Sequence, residues 1–147
     1  MLRREGPGMT LTDEQTAQLN EIEQLCFHGS WTKEMLLEEI NNPLSVFALA
    51  ERGGRVAGFV IGRLVADEGE LYQIGVHPDF RRGHIAEGLL DYFHLTLRDK
   101  GAACCFLEVR SRNAPAISLY EKSGYERISL RKGYYADDDA VIYRKEL

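Results

Sequence analysis

The stretch from residue 70 to residue 109 constrains the fold most, because it reads as a strand, a long helix and a second strand. Residues 70–76 and 103–109 are short runs with strand-forming residues. Between them, apolar residues recur at helical spacing at Ile85, Leu89, Leu90, Phe93 and Leu97. Two strands joined through a helix lie parallel, with a right-handed crossover. The chain therefore predicts a β–α–β unit at its centre.

Hairpin signals surround this unit. Gly53-Gly54 predicts a tight two-residue turn, and a further turn is expected over residues 67–69. The other predicted elements, in chain order, are an edge strand at 2–5 broken by Gly6-Pro7-Gly8, helices at 11–27 and 32–40, strands at 46–51 and 55–66, a helix at 113–123, and strands at 125–130 and 140–144. This order predicts an α/β (α+β) fold with a mixed, mostly antiparallel sheet flanked by helices. No repeat or linker interrupts the chain, so we expect one domain over residues 1–147.

Charge and composition narrow the functional classes. The net charge of −5 argues against nucleic acid as a partner, because phosphate binding requires a basic surface. No apolar run reaches the roughly 18–20 residues that span a bilayer, and the first residues lack the apolar core of a secretory signal. The three cysteines, Cys26, Cys104 and Cys105, fit no disulfide or metal pattern, and we interpret them as small buried hydrophobic residues. We expect a cytoplasmic monomer or weak homodimer with no membrane contact.

A basic loop with a glycine follows the first strand of the central unit and leads into its helix. Exposed N–H groups at a helix N-terminus, together with the helix dipole, bind anions. Arg81 and Arg82 add guanidinium groups suited to a pyrophosphate. On these residues alone, an anion site and a solvated turn are equally good interpretations.

Residues 72–90 resemble the acetyl-CoA-binding motif of the GNAT superfamily of N-acetyltransferases, which reads Gln/Arg-x-x-Gly-x-Gly/Ala. Arg81, His84 and Ala86 fall on its three fixed positions. The resemblance implies acetyl-CoA as cofactor, with the strand residues Ile74, Gly75 and Val76 pairing with the pantetheine arm. It also implies that the pyrophosphate is held by the backbone amides of Arg82, Gly83, His84, Ile85, Ala86 and Glu87. His84 departs from the usual glycine, and a positive φ would cost such a residue about 1–2 kcal/mol.

Two side chains stand out in residues 106–125. Glu108 interrupts an apolar strand, where a carboxylate is costly unless it is paired or used; a salt bridge with Arg110 is one explanation. Tyr120 lies on a helix face with apolar neighbours and is explained equally by a core ring with a satisfied hydroxyl.

The same stretch resembles the RimI-type branch of GNAT enzymes, the N-terminal alanine acetyltransferases of a small-subunit ribosomal protein. The shared pattern is Leu-Glu-Val-Arg-x-Ser/Arg-Asn, then Ala-x-x-Leu-Tyr-x-x-x-Gly-Phe/Tyr. The resemblance implies direct transfer without an acyl-enzyme or a metal. Glu108 would be the general base, and Tyr120 would protonate or hydrogen-bond the thiolate. Asn113 would bond the pantetheine, and the Val76 N–H would polarise the thioester carbonyl.

Two peripheral matches extend the resemblance to an acceptor site. Ser30-Trp31-Thr32 stands where the branch has Pro-Trp-Ser, and residues 131–135 stand where it has Arg-x-x-Tyr-Tyr. The resemblance implies that Trp31, Tyr134 and Tyr135 bind a protein or peptide N-terminus between two loops. The acids at 137–139 either attract a basic tail or form a solvated turn.

Three functions follow from these expectations. The first is acetyl transfer to the N-terminal α-amine, for preference alanine, of a ribosomal protein. The alternatives are a GNAT enzyme for a small-molecule amine and a non-catalytic acyl-CoA-binding domain.

Overall fold

The computed structural model describes residues 2–5 and 10–147. Its elements are β1 (Leu2–Glu5), α1 (Asp13–Phe27), α2 (Lys33–Ile40), β2 (Ser45–Arg52), β3 (Arg55–Val65), β4 (Glu68–Val76), a 3₁₀ turn (Pro78–Phe80), α3 (Ile85–Asp99), β5 (Cys104–Arg110), α4 (Ala114–Lys122), β6 (Glu126–Tyr135) and β7 (Asp138–Glu146). The predicted break at Gly6-Pro7-Gly8 lies outside the described residues. No helix in the described part of the chain is long and apolar enough to cross a membrane.

In those residues, seven strands form one sheet in the order β1-β2-β3-β4-β5-β7-β6. Neighbouring strands are antiparallel except β4 and β5, which are parallel and joined through α3. The mixed sheet with one parallel crossover is therefore confirmed, as is the edge strand β1, which pairs with β2. The Gly53-Gly54 turn is confirmed too, because both glycines have the positive φ that such a tight turn requires.

Helices cover the sheet on both faces. On one face α3 contributes Leu89, Leu90 and Phe93 to a core that also contains Tyr120 and Tyr125. On the other face α1 and α2 pack through Leu19, Ile22, Leu36 and Ile40. The middle strands are buried on both faces, which explains their continuous apolar runs.

The sheet opens between β4 and β5. Parallel pairing begins at Glu68–Cys104 and ends at Leu71–Leu107. The next residue, Tyr72, is a bulge, because Ile61 pairs with Gln73 while Gly62 pairs with Leu71. A bulge bends its strand and strengthens the local twist. Beyond it β4 stays with β3 and β5 stays with β7, so a gap separates the C-terminal halves of the two parallel strands.

Three predicted boundaries were wrong. The turn expected at 67–69 lies at Ala66 and Asp67, because Ala66 adopts the left-handed φ of 55° and leaves Glu68 free to pair with Cys104. The last two strands are longer than predicted, since β6 runs to Tyr135 and β7 begins at Asp138. The added residues, 131–135 and 138–139, are mostly polar and carry no apolar alternation, so only their pairing with each other shows that they belong to the strands.

Candidate active site

A cleft of about 640 Å³ opens where β4 separates from β5, a volume typical of a small-molecule site. Its walls come from the end of α1, the last residues of β4, the loop before α3, the first turn of α3 and one face of α4. Its lining includes nine of the ten predicted cofactor residues, namely Ile74, Gly75, Val76, Arg82, His84, Ile85, Ala86, Glu87 and Asn113, and also Tyr120. Gly83, the tenth, belongs to the same loop but does not line the cleft.

The last residues of β4 present backbone groups to this cleft. The His77 N–H donates to the Ala57 carbonyl of β3 at 2.8 Å. Residues of a strand alternate between its two sides, so the N–H and C=O groups of Val76 and Ile74 face away from β3 and toward the gap. Since β5 has diverged, these groups have no strand partner there among the described residues.

The loop before α3 supplies further N–H groups. The first helical bond runs from the Gly88 N–H to the His84 carbonyl, so the N–H groups of the preceding turn have no partner within the helix. His84 caps α3 without a side-chain bond. The arrangement is a helix N-terminus with free donors and a positive dipole end.

The backbone strain in this loop lies where the motif predicted it. His84 has φ 58° and ψ 21°, the left-handed conformation that glycine adopts most readily. Arg82 also has a positive φ, of 71°, whereas Gly83 does not. In this loop the left-handed position of the motif is therefore occupied by His84, whereas Gly83 does not adopt a positive φ.

Cys26 was wrongly interpreted as a buried hydrophobic residue. It is half-buried and lines the cleft, where its Sγ donates to the Val76 carbonyl at 3.4 Å. Arg81 Nε donates to the same carbonyl at 3.3 Å. Two donors thus occupy the Val76 carbonyl oxygen, and only the N–H of Val76 remains for a ligand. Cys104 and Cys105 are buried as expected, and burial raises the pKa of the Cys105 thiol to about 11.

Asn113 and Tyr120 come to the cleft from α4. Asn113 caps the helix by accepting the Ala116 N–H on its Oδ1 at 3.3 Å, which leaves its Nδ2 amide as a donor. Tyr120 is 8% exposed, and its hydroxyl has no hydrogen-bond partner in the described residues, contrary to the expectation for a core tyrosine. Burial raises the pKa of Tyr120 to about 12, so its O–H remains protonated at neutral pH.

Glu108 lies on β5, on the opposite side of the gap from the last residues of β4. Its side chain is 29% exposed, and its Oε1 lies 3.4 Å from Arg131 Nη1 of β6. The expected pair with Arg110 was wrong. Arg110 instead bonds Asp137 and lies over the Tyr135 ring at 4.1 Å. Burial, and after it the nearby Glu108 charge, raise the pKa of Glu70 on β4.

The three acids at 137–139 hold the end of the β6–β7 hairpin. Asp137 bonds Arg110, which lowers the pKa of Asp137. Asp138 accepts from the Ser111 hydroxyl and the Arg112 N–H, and Asp139 accepts from the Gly133 N–H at 2.7 Å. Asp137 lies in an exposed turn, as one interpretation expected, but all three carboxylates are bonded within the protein and tie the hairpin to the end of β5.

The three predicted acceptor residues do not line the cleft. Trp31 follows α1 and packs edge-on against Tyr72 at 6.1 Å. Tyr134 and Tyr135 end β6, on a strand and not on the predicted loop, with their rings 5.2 Å apart. Burial, and after it the nearby Glu108 charge, raise the pKa of Tyr135.

Two buried polar residues were missed by the sequence analysis. Glu23 of α1 is 0% exposed and Gln73 of β4 is 8% exposed, and Gln73 Nε2 donates to Glu23 Oε2 at 3.3 Å. A signal for Glu23 was present, because it lies on the same helix face as Leu19 and Cys26. A carboxylate on an apolar face is unusual and indicates a specific partner.

Residues 16–125 match the acetyltransferase (GNAT) family, and the chain belongs to this family of N-acetyltransferases. Its relatives include the [ribosomal protein bS18]-alanine N-acetyltransferase of Escherichia coli (strain K12), 34% identical over 125 residues that cover 82% of this chain and 84% of the relative. A Bacillus subtilis (strain 168) protein described as putative for the same activity is 34% identical and covers 83% of each chain.

The fold agrees with that assignment. A crystal structure of the Escherichia coli ribosomal-protein-alanine N-acetyltransferase superposes with a TM-score of 0.85 at 29% identity, covering 99% of this chain and 94% of that one. The family uses acetyl-CoA as acyl donor, so a non-catalytic acyl-CoA-binding domain is no longer needed to explain the motif.

Proposed function

We propose that this acetyltransferase acts on the N-terminal α-amine of a protein, with alanine as the preferred first residue and a small-subunit ribosomal protein as acceptor. The observation that carries the proposal is the 34% identity, over 82% of the chain, to an enzyme named for that reaction. The adjacent Tyr134 and Tyr135 rings at the end of β6 add support, because an extended peptide can pack against them. We also propose that the enzyme is cytoplasmic and that residues 1–147 form one domain.

The cleft beside β4 fits acetyl-CoA. The free N–H groups before α3 and the guanidinium of Arg82 suit a pyrophosphate, and the gap-facing N–H and C=O groups of Ile74 suit the amides of a pantetheine arm. The Asn113 Nδ2 amide is a further donor at the N-terminus of α4. Acetyl-CoA supplies an acyl group already activated as a thioester.

The chain supplies three groups around the reacting atoms. Glu108 accepts a proton from the acceptor ammonium, directly or through water, and frees the amine for attack. The Val76 N–H donates to the thioester carbonyl oxygen as charge develops on it. Tyr120, whose pKa of about 12 makes full proton transfer unfavourable, holds the departing thiolate sulfur by a hydrogen bond.

The acceptor would lie between Trp31 on one side and Tyr134 and Tyr135 on the other. The position of Tyr134 and Tyr135 is fixed, because Asp137, Asp138 and Asp139 bond the end of β5 and the β6–β7 hairpin itself. Because these three carboxylates are already bonded within the protein, we do not propose that they attract a basic tail.

Acetyl transfer to a panel of acceptors tests the proposal. A peptide with a free N-terminal alanine should have a higher kcat/KM than the same peptide with a blocked N-terminus and an internal lysine, and higher than a polyamine. Faster acetylation of lysine would refute the N-terminal acceptor and leave the enzyme class intact. Faster acetylation of the polyamine would favour the small-amine alternative.

A further inference from the structure

Glu23 is a fully buried carboxylate for which the proposed mechanism has no use. It lies near the end of α1 and is 0% exposed. Burial raises the pKa of its carboxyl, which shows that the ionised form is poorly solvated there. A leucine in this apolar layer would avoid the desolvation cost of a carboxylate. The contacts that Glu23 makes therefore have to explain why a carboxylate is present.

Three of those contacts lead to the turn between α1 and α2, which carries Trp31. The Glu23 backbone carbonyl accepts the N–H groups of His28 and Gly29, both of which have a left-handed φ. The Glu23 carboxylate Oε2 accepts the Trp31 N–H at 3.3 Å. One residue therefore holds the first and last parts of the turn between α1 and α2.

The same carboxylate oxygen is tied to β4. Gln73 Nε2 donates to Glu23 Oε2 at 3.3 Å, and Gln73 directly precedes the strand residues that face the cofactor cleft. The Trp31 ring in turn packs on Tyr72, the bulge residue. The turn is thus linked twice to the point where β4 leaves β5.

We propose that Glu23 is a positioning residue for acceptor binding, which fixes the Trp31 turn against β4 through Gln73. The proposal rests on the proposed function only in taking Trp31 as part of the acceptor site. Glu23 acts as an acceptor of N–H groups, and its negative charge is not what the site requires.

Trp31 is the only tryptophan of the chain, so its fluorescence reports on the turn without any substrate. Glu23→Leu keeps the volume and removes the acceptor oxygens, and acrylamide quenching of Trp31 in the free protein should rise about twofold as the turn loosens. Gln73→Leu should act in the same direction, and serves also if Glu23→Leu folds poorly. Glu23→Gln retains an acceptor oxygen and should be quenched like the wild type.

Ile40→Val is the matched control, because it weakens the same core layer without touching the turn. It should lower the melting temperature and leave quenching unchanged. Unchanged quenching in both Glu23→Leu and Gln73→Leu would overturn the proposal, whichever amine the enzyme acetylates. Increased quenching in Glu23→Gln equal to that in Glu23→Leu would also overturn it, because charge would then be the essential property.

Kinetics provides the second readout. Loss of the Trp31 position in Glu23→Leu should raise the KM of an N-terminal peptide about tenfold, the size of one or two hydrogen bonds, with the KM of acetyl-CoA unchanged. Glu23→Gln should restore the peptide KM. An equal rise in both KM values would overturn the positioning role. Failure of the wild type to acetylate the peptide would refute the proposed function, and the fluorescence result would still decide the role of Glu23.

Discussion

The two sides of the gap between β4 and β5 are built in different ways. On the proposed cofactor side, most ligand groups are backbone N–H and C=O groups from one contiguous stretch, residues 74–87, and the side chains of Arg82 and Asn113 add to them. On the proposed acceptor side, they are side chains from the turn after α1, from β5 and from β6, held by contacts such as Arg131 to Glu108 and Trp31 to Glu23. The first side depends on local chain path, and the second on long-range packing.

This difference has a chemical consequence. A backbone site tolerates many side chains provided that the chain path is kept, which explains how a histidine stands at a usual glycine position. A side-chain site changes its specificity with single substitutions. We therefore expect the acceptor to be the part of the function that varies most easily.

The largest effect is expected at the one acceptor-side residue that does chemistry. Glu108→Gln should lower kcat about 10²–10⁴-fold, the usual contribution of a general base, while the fold and acetyl-CoA affinity are kept. The defect should shrink as pH rises past about 7.7–8.0, the reference pKa of an α-amine, because more acceptor is then neutral. The measurement is kcat against pH, with the exposed Glu68→Gln as control.

A different result would reassign Glu108. If it served only as the partner of Arg131, a half-exposed ion pair that contributes about 0.2–1 kcal/mol, the variant would keep its kcat and lose a little stability. Tyr120 would then remain as the proposed chemical group.

The next effect tests whether the cofactor side depends on backbone. Ala86→Pro removes one N–H in the first turn of α3, where proline is tolerated. Acetyl-CoA affinity should fall about tenfold to a hundredfold, because a bond to a charged phosphate is lost. Calorimetric titration measures it, and Ala86→Ser, which keeps the N–H, should bind like the wild type. Equal affinity in the proline variant would contradict the backbone site.

A smaller effect is expected for the acceptor walls. Trp31→Ala and Tyr135→Ala should each raise the peptide KM about tenfold through lost aromatic contact, with the KM of acetyl-CoA nearly constant. Steady-state kinetics with both substrates varied gives the two constants. A rise in the KM of acetyl-CoA alone would contradict this prediction and assign both residues to the cofactor site.

The smallest effect should come from His84→Gly. Glycine relieves the left-handed strain at this position, so acetyl-CoA affinity should be equal or up to about threefold better. Calorimetry measures the affinity, and a thermal melt checks the fold. A tenfold loss would show that the imidazole contacts the cofactor, and the site would then depend on a side chain after all.

The order of elements was predictable because its signals are local. Helical spacing in α3 and the Gly53-Gly54 turn need no knowledge of distant residues. The ends of β6 and β7 could not be predicted, because polar strand ends carry no apolar alternation and are recognised only by their pairing. Likewise the bulge at Tyr72, which starts the gap, follows from the offset between β3 and β4 and from the diverging paths of β4 and β5.

For the site, sequence by itself determined the chemistry available: a loop of free amides before a helix, and the residues Glu108 and Tyr120. Only the tertiary structure decided the partners. Arg131 reaches Glu108 because Arg131 pairs with Ala140 of β7, the strand that also pairs with β5, and Glu23 meets Gln73 across 50 residues of chain. Backbone amides are set by the local chain path, whereas side-chain pairs depend on which distant strands and helices pack together, and no short stretch of residues encodes that.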